Sequence, residues 1–328
     1  MNVEFGLTEE HAVLRDAART FALGELAPGA KKRARDNRIP GWMFEKMAEL
    51  GYIGMTASPK YGGGGMDMTA AGVVIEEFGR HDLAAPHVVI TPTQFALLLE
   101  SGTEEQRQRW IPPLCEGTAV YSIAVTEPGC GTDVSGIKTK AVRDGDHYVI
   151  SGEKTPSTRA MQADGVFVFA RTNEEPGAQG VSCIYVPLDA PGVTRTEMPY
   201  AGMIPLNCAS LFFDSVRVPV GNRVGEEGKG LSMIMRRFDV LRVLLCLVAL
   251  AQARPRWTRS RNTPRSGSPS DNLSPRMRRS RFVSPSTPRR STPHVWPVTG
   301  RCGCVTRGCG TARSRPCASG FPRRSLSR

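Results

Sequence analysis

Apolar positions in the first 115 residues recur at the 3, 4 spacing of a helix face; from Ala119 they alternate. Over residues 8–27 the face is Val13, Leu14, Ala17, Ala18, Phe21 and Ala22. Thr8 is placed to cap it, acidic residues fill the first turn, and Pro28-Gly29 closes it. Pro40 opens a second helix through Trp42, Phe44, Met47 and Leu50, which Gly51 stops. Residues 68–78 predict a third helix. Residues 81–100 read as largely helical with breaks at Pro86 and Pro92, and residues 103–115 form a helix with a Thr103/Gln106 capping box. The charged run 31–38 reads as a solvated connector.

The alternating part predicts strands at 120–126, 137–143, 147–151, 165–171, 181–186 and 209–214, with a turn at Gly145-Asp146. Helical spacing returns over 226–253 through Phe238, Leu241, Leu244, Leu245, Val248 and Ala249. The fold class is therefore multi-domain α+β: an N-terminal all-helical domain (1–117), a middle antiparallel β domain (118–222), the first helix of a truncated C-terminal helical domain (223–254) and a disordered Arg/Ser/Pro tail (255–328).

Charge changes the picture only at the tail. The whole chain carries +12, but residues 254–328 hold 18 Arg, no Lys and one acid, Asp271, a net of +17. The first 253 residues are thus mildly acidic, at −5. Read literally, the tail is a basic arm that could bind nucleic acid nonspecifically. Cys302, Cys304, Cys309 and Cys317 are too irregularly spaced for a zinc site, and His81 and His87 lack partnering ligands, so no metal is expected. A frame shift explains the tail better: back-translated with GC-rich codons and read from the third base, residues 261–279 permit an amphipathic sequence containing R-x-x-F-G. Widely spaced cysteines, no signal segment and no long apolar run point to a cytoplasmic protein.

Candidate chemistry centres on Tyr121-Ser-Ile-Ala-Val-Thr-Glu-Pro-Gly-Cys-Gly-Thr-Asp133. A strand breaks there into a Gly/Pro turn with Thr126, Thr132 and Ser135 hydroxyls beside open backbone amides, suited to a polar ring edge or a phosphate. No G-x-G-x-x-G follows a strand, so a Rossmann site is unsupported. This stretch, followed by Gly152-Glu-Lys154, resembles the T-E-P-x-x-G-S/T-D and N/S-G-x-K pattern of the acyl-CoA dehydrogenase family, from about Leu7 to about Arg254.

The resemblance implies FAD as cofactor, an acyl-CoA thioester as substrate, an electron-transfer flavoprotein or similar acceptor as partner, and a homo-oligomer. By position it makes Val125 and Thr126 contacts of the flavin ring and sets Thr132 near the flavin diphosphate or the CoA. It places Thr158 near flavin N5 and Arg242 beside the substrate. It puts the loop Pro59–Gly65 near the acyl pocket. Pro156 stands where the family carries an aromatic, and Arg159 where Asn is common. No catalytic residue is assigned. The family's glutamate base lies in the C-terminal domain, beyond what the 86 residues after Arg242 can supply. The expectation is a dehydrogenase by descent, inactive as written. Leu241, Leu244, Leu245 and Val248 are expected to lack a covering surface. Rival readings are an acyl-CoA oxidase or flavin monooxygenase on the same architecture, or a non-enzymatic protein acting through its basic tail.

Overall fold

A computed structural model of the chain describes residues 6–199 and 201–262. Helix α1 (Glu9–Phe21) starts at Thr8, whose hydroxyl accepts the His11 N–H, and runs on as a π-helical turn, Ala22–Leu26. The short α2 (Ala30–Arg33), α3 (Gly41–Glu49), α4 (Met68–His81), α5 (Ala85–Leu99) and α6 (Glu104–Cys115) complete the helical part. The strands are β1 (Tyr121–Ala124), β2 (Lys140–Asp144), β3 (His147–Ser157), β4 (Gly165–Arg171), β5 (Val181–Pro187), β6 (Val193–Glu197), β7 (Ala209–Pro219) and β8 (Arg223–Val224). Helix α7 (Gly230–Asn262) follows.

The eight strands form one sheet in the order β6-β7-β3-β2-β4-β5-β8, with β1 also on β4. The β2–β3, β3–β7, β4–β5, β5–β8 and β6–β7 pairs are antiparallel, as expected. The β1–β4 pair is parallel, Tyr121 opposite Gly165 through Ala124 opposite Val168, and one β2–β4 bridge is parallel too. Alternation of side chains says which face is buried but carries no strand direction. Strand β3 runs six residues past its expected end at 151 by way of register shifts between Ile150 and Gly152 and between Lys154 and Ser157.

Several expectations need correction. Pro92 does not break α5. Thr91 and Thr93 return their hydroxyls to the carbonyls of His87 and Val89 (2.9 and 3.0 Å), and the helix continues through the proline. Pro86 sits in the first turn, where no N–H is needed. Arg33, assigned to a solvated connector, is buried and pairs with Asp82 at 2.8 Å. The helix expected to stop near Arg254 extends to Asn262, into the segment expected to be disordered; the rest of that segment, including its four cysteines, lies outside the described residues.

The apolar face of α7 is also better covered than expected. Leu244 is fully buried and Val248 nearly so, packed with Val74, Ile75 and Phe78 of α4. Gly72 and Gly79 allow the approach: a Cβ on either would stand 3.0 Å from Leu247 Cδ1 or Ala251 Cβ. Leu241 is half-buried, and Leu245 stays 41 % exposed. Helices α5 and α7 each contribute to two apolar cores. Val88, Val89, Val240 and Leu244 belong to the core of the helical domain. Phe95, Leu98, Leu231 and Ile234 belong to an aromatic-rich core with Trp110, Tyr121, Phe167 and Tyr185. The site lies where these two helices pass the end of β1.

Candidate active-site cavity

Two short motifs meet at the end of β1. The Lys154 ammonium, fully buried, donates to Glu127 Oε1 at 2.8 Å and to the Val125 carbonyl at 3.0 Å. Glu127 also accepts the backbone N–H groups of Lys138 and Thr139 at 2.8 and 2.9 Å. Burial opposes the Glu127 charge, but Lys154 and these N–H donors outweigh it and hold the carboxyl below its usual range. Gly152, at φ +145°, permits the close pass of β3: a Cβ there would lie 2.7 Å from Thr139 Oγ1. The Thr155 N–H then donates to the Thr126 carbonyl at 2.8 Å. So the Thr126-Glu127-Pro128 turn and the Gly152-Glu-Lys154 strand form one unit, in which Glu127 is a structural anion rather than a reactive one.

That unit presents Val125 and Thr126 to a cavity of about 600 Å³. The segment 156–159 forms the adjoining wall, tied to β1 by the Ser122 hydroxyl donating to the Thr158 carbonyl at 2.7 Å. Across from them stand one face of α5 (His87, Thr91, Gln94) and one of α7 (Phe238, Leu241, Leu245). Val125, Thr126 and Thr158 are thus brought together. Thr132 lies on an exposed turn outside this lining. Arg242 is exposed on α7, pairs with Asp239 at 2.6 Å and does not line the cavity. The Pro59–Gly65 loop also stays away from it.

Three lining residues went unassigned from sequence. Arg159, with φ +65°, is 3 % exposed, donates to Thr91 Oγ1 at 2.7 Å and lies over the Phe44 ring at 5.1 Å. Arg237 is 4 % exposed, donates to Gln94 Oε1 and lies over Phe95 at 5.1 Å. Burial pushes their guanidinium groups down to about 10 and about 9. His87 is held down to about 4, by burial and then by Arg159. Arg237 was readable in principle: it follows Ile234 by three and precedes Leu241 by four, on the buried stripe of α7. Among the described residues no Asp or Glu lines the cavity, and no cluster could hold a metal ion.

The family model described as "Acyl-CoA dehydrogenase, N-terminal domain" matches residues 8–118, and that for the middle domain matches residues 122–216. The probable acyl-CoA dehydrogenase YngJ of Bacillus subtilis is 35% identical over 76% of this chain and 67% of its own length. This chain belongs to the acyl-CoA dehydrogenase family. The caffeyl-CoA reductase-Etf complex subunit CarC of Acetobacterium woodii is 33% identical over 72% of this chain and 63% of its own. The crystal structure of an acyl-CoA dehydrogenase from Geobacillus kaustophilus superposes with a TM-score of 0.74 at 32% identity, covering 80% of this chain and 70% of that one. The chain therefore spans about two thirds of the length of the curated relatives it matches.

A flavin fits part of the cavity wall. Among its residues Thr126 and Thr158 carry hydroxyls, that of Thr158 also meeting the Cys208 thiol at 3.7 Å, and Val125 is apolar. Pro156, exposed in the wall, offers no aromatic face for stacking.

Proposed function

We propose that this chain carries the cofactor- and thioester-binding part of an FAD-dependent acyl-CoA dehydrogenase. The observation that carries the reading is the single cavity in which Val125, Thr126 and Thr158 face the apolar sides of α5 and α7. FAD, when bound, would accept the hydride leaving the β-carbon of the acyl group. Val125 and Thr126, fixed by the Lys154–Glu127 pair, would position the ring edge, and the Thr158 hydroxyl would hydrogen-bond to it. Leu241 and Phe238 would exclude water from the acyl chain. Thr132 is assigned to the diphosphate or CoA portion, outside the cavity; Arg242, exposed beside Asp239, is given no role in the cavity.

Removing the α-proton requires a base within hydrogen-bond reach. None of the described lining residues is a carboxylate, and the half-buried His87 is held down to about 4 by burial and then by Arg159, so we assign no catalytic base among the described residues and expect no turnover from them. The Acetobacterium relative is named as a subunit of an Etf complex, which supports a flavoprotein as electron acceptor. A homo-oligomer and a cytoplasmic site complete the proposal. Among the described residues no helix is long and apolar enough to cross a membrane. The rival oxidase or monooxygenase reading separates by stopped-flow reoxidation: rapid reaction of reduced flavin with oxygen would favour it. The main test is to titrate the purified chain with FAD and then with hexanoyl-CoA. Binding of both with a shifted flavin band supports the reading; absence of any thioester binding overturns it.

A further inference from the structure

Thr158 is an exposed residue set between two buried ones. Ser157 is 0 % exposed and pairs with Ala209 of β7, and Arg159 is 3 % exposed, while Thr158 lines the cavity. Arg159 takes φ +65°, a left-handed conformation that a bulky side chain keeps only where its surroundings hold it. Its N–H donates to the Leu206 carbonyl at 2.7 Å and its guanidinium to Thr91 Oγ1 at 2.7 Å, so the turn after Thr158 is fixed. Two further bonds act on Thr158 itself. The Ser122 hydroxyl, on β1 and 2 % exposed, donates to the Thr158 carbonyl at 2.7 Å. The buried Cys208 thiol donates to Thr158 Oγ1 at 3.7 Å. A hydroxyl has one proton to give and two lone pairs to accept with. With a lone pair taken by the thiol, the Thr158 proton is left to be donated elsewhere.

We propose that Ser122 and Cys208 are positioning residues for the flavin: Ser122 fixes the main chain at Thr158, and Cys208 commits the Thr158 hydroxyl to donating toward a ring nitrogen of the cofactor. This rests on the reading of the cavity wall as a flavin site. Neither residue has to touch the ring. An oxidised isoalloxazine carries an unprotonated nitrogen in its central ring, which is an acceptor, and a hydroxyl already committed to donating suits it. A hydroxyl free to rotate would lose that freedom on binding, and so would a main chain free to move; here both are ordered before the ligand arrives.

The test titrates the full 328-residue chain with FAD, followed by flavin fluorescence and by the position of the bound visible band. The variants are Ser122→Ala, Cys208→Ala, Thr158→Val and the two doubles with Thr158→Val, each checked for fold by far-ultraviolet circular dichroism. Ser122→Ala and Cys208→Ala should each weaken FAD binding about threefold to tenfold, the size of one hydrogen bond, and move the bound band toward its position in Thr158→Val. In the Thr158→Val background the same two changes should cost less than about twofold, because the hydroxyl they position is gone. Residues that only stabilise the fold would weaken binding equally in both backgrounds and leave the band in place, which would overturn the proposal. Unchanged affinity in Ser122→Ala and Cys208→Ala, or in Thr158→Val, would also overturn it while leaving the flavin reading intact. Failure of the unsubstituted chain to bind FAD would overturn that reading and the proposal with it. Should one of the two positioning variants not fold, the cycle through the other decides.

Discussion

Lys154→Met should be the most damaging single change to the site, and the reason lies in Glu127. The ammonium of Lys154 is fully buried, and it joins Glu127, itself 7 % exposed, to the Val125 carbonyl. Methionine fills a similar volume but leaves the carboxylate with only the N–H groups of Lys138 and Thr139. Removing one partner of a buried ion pair costs about 3–5 kcal/mol. The penalty should depend on pH with a definite sign. Without Lys154, burial pushes the Glu127 carboxyl above its unfolded value, so the variant keeps more of its stability where that group is protonated. The deficit relative to the unsubstituted chain therefore grows as pH rises from 4 to 7. Urea unfolding followed by far-ultraviolet circular dichroism at both pH values measures it. In the double variant Glu127→Gln with Lys154→Met, much of the loss should return, because the orphaned charge is gone. A single-variant deficit below about 1 kcal/mol at pH 7, or one that is larger at pH 4, would refute the claim that this pair fixes the turn.

His87 should set part of the acid limit of the fold. Its folded value of about 4 lies below the ordinary 6.5, so its contribution is present above 6.5 and is lost as pH falls toward 4. The full loss is about 3 kcal/mol, and His87→Leu should flatten the slope seen in unfolding curves across that window. Gly79→Val should pry α7 from α4, since even a Cβ there stands 3.0 Å from Ala251, and the melting temperature should fall by several degrees. Pro156→Trp should restore a stacking face and raise FAD affinity about tenfold, read by quenching of flavin fluorescence; unchanged affinity would show that position 156 does not face the ring.

Much of the fold was legible because period and punctuation agree locally. Thr8 and Thr103 cap helices as their spacing suggests, and Gly145-Asp146 turns β2 into β3. What stayed hidden depends on contacts distant in sequence. The parallel β1–β4 pairing has no local signature. The mostly exposed edge strand β6 shows little alternation, with four of its five residues exposed. Within the site, Val125, Thr126 and Thr158 could be placed by motif, and they share a wall. Arg242 drew attention as the charged residue in an apolar helix, yet it points to solvent beside Asp239. Arg237, on the same helix, is the one that turns inward. A hydrophobic stripe begun at Phe238 omits it; begun at Ile234, the same 3, 4 spacing runs through it.

At the centre stands one cavity proposed to receive both a flavin and an acyl thioester, with no carboxylate among its described lining residues. The direct measurement is the visible spectrum of the purified 328-residue chain loaded with excess FAD, recorded anaerobically before and after addition of hexanoyl-CoA. The account predicts weak flavin binding, and a band that shifts on adding the thioester without losing intensity, because no carboxylate lines the cavity among the described residues. Bleaching of the band would contradict it, since that requires a proton acceptor not found among the described lining residues; a spectrum identical to free FAD throughout would contradict the placement of the flavin itself.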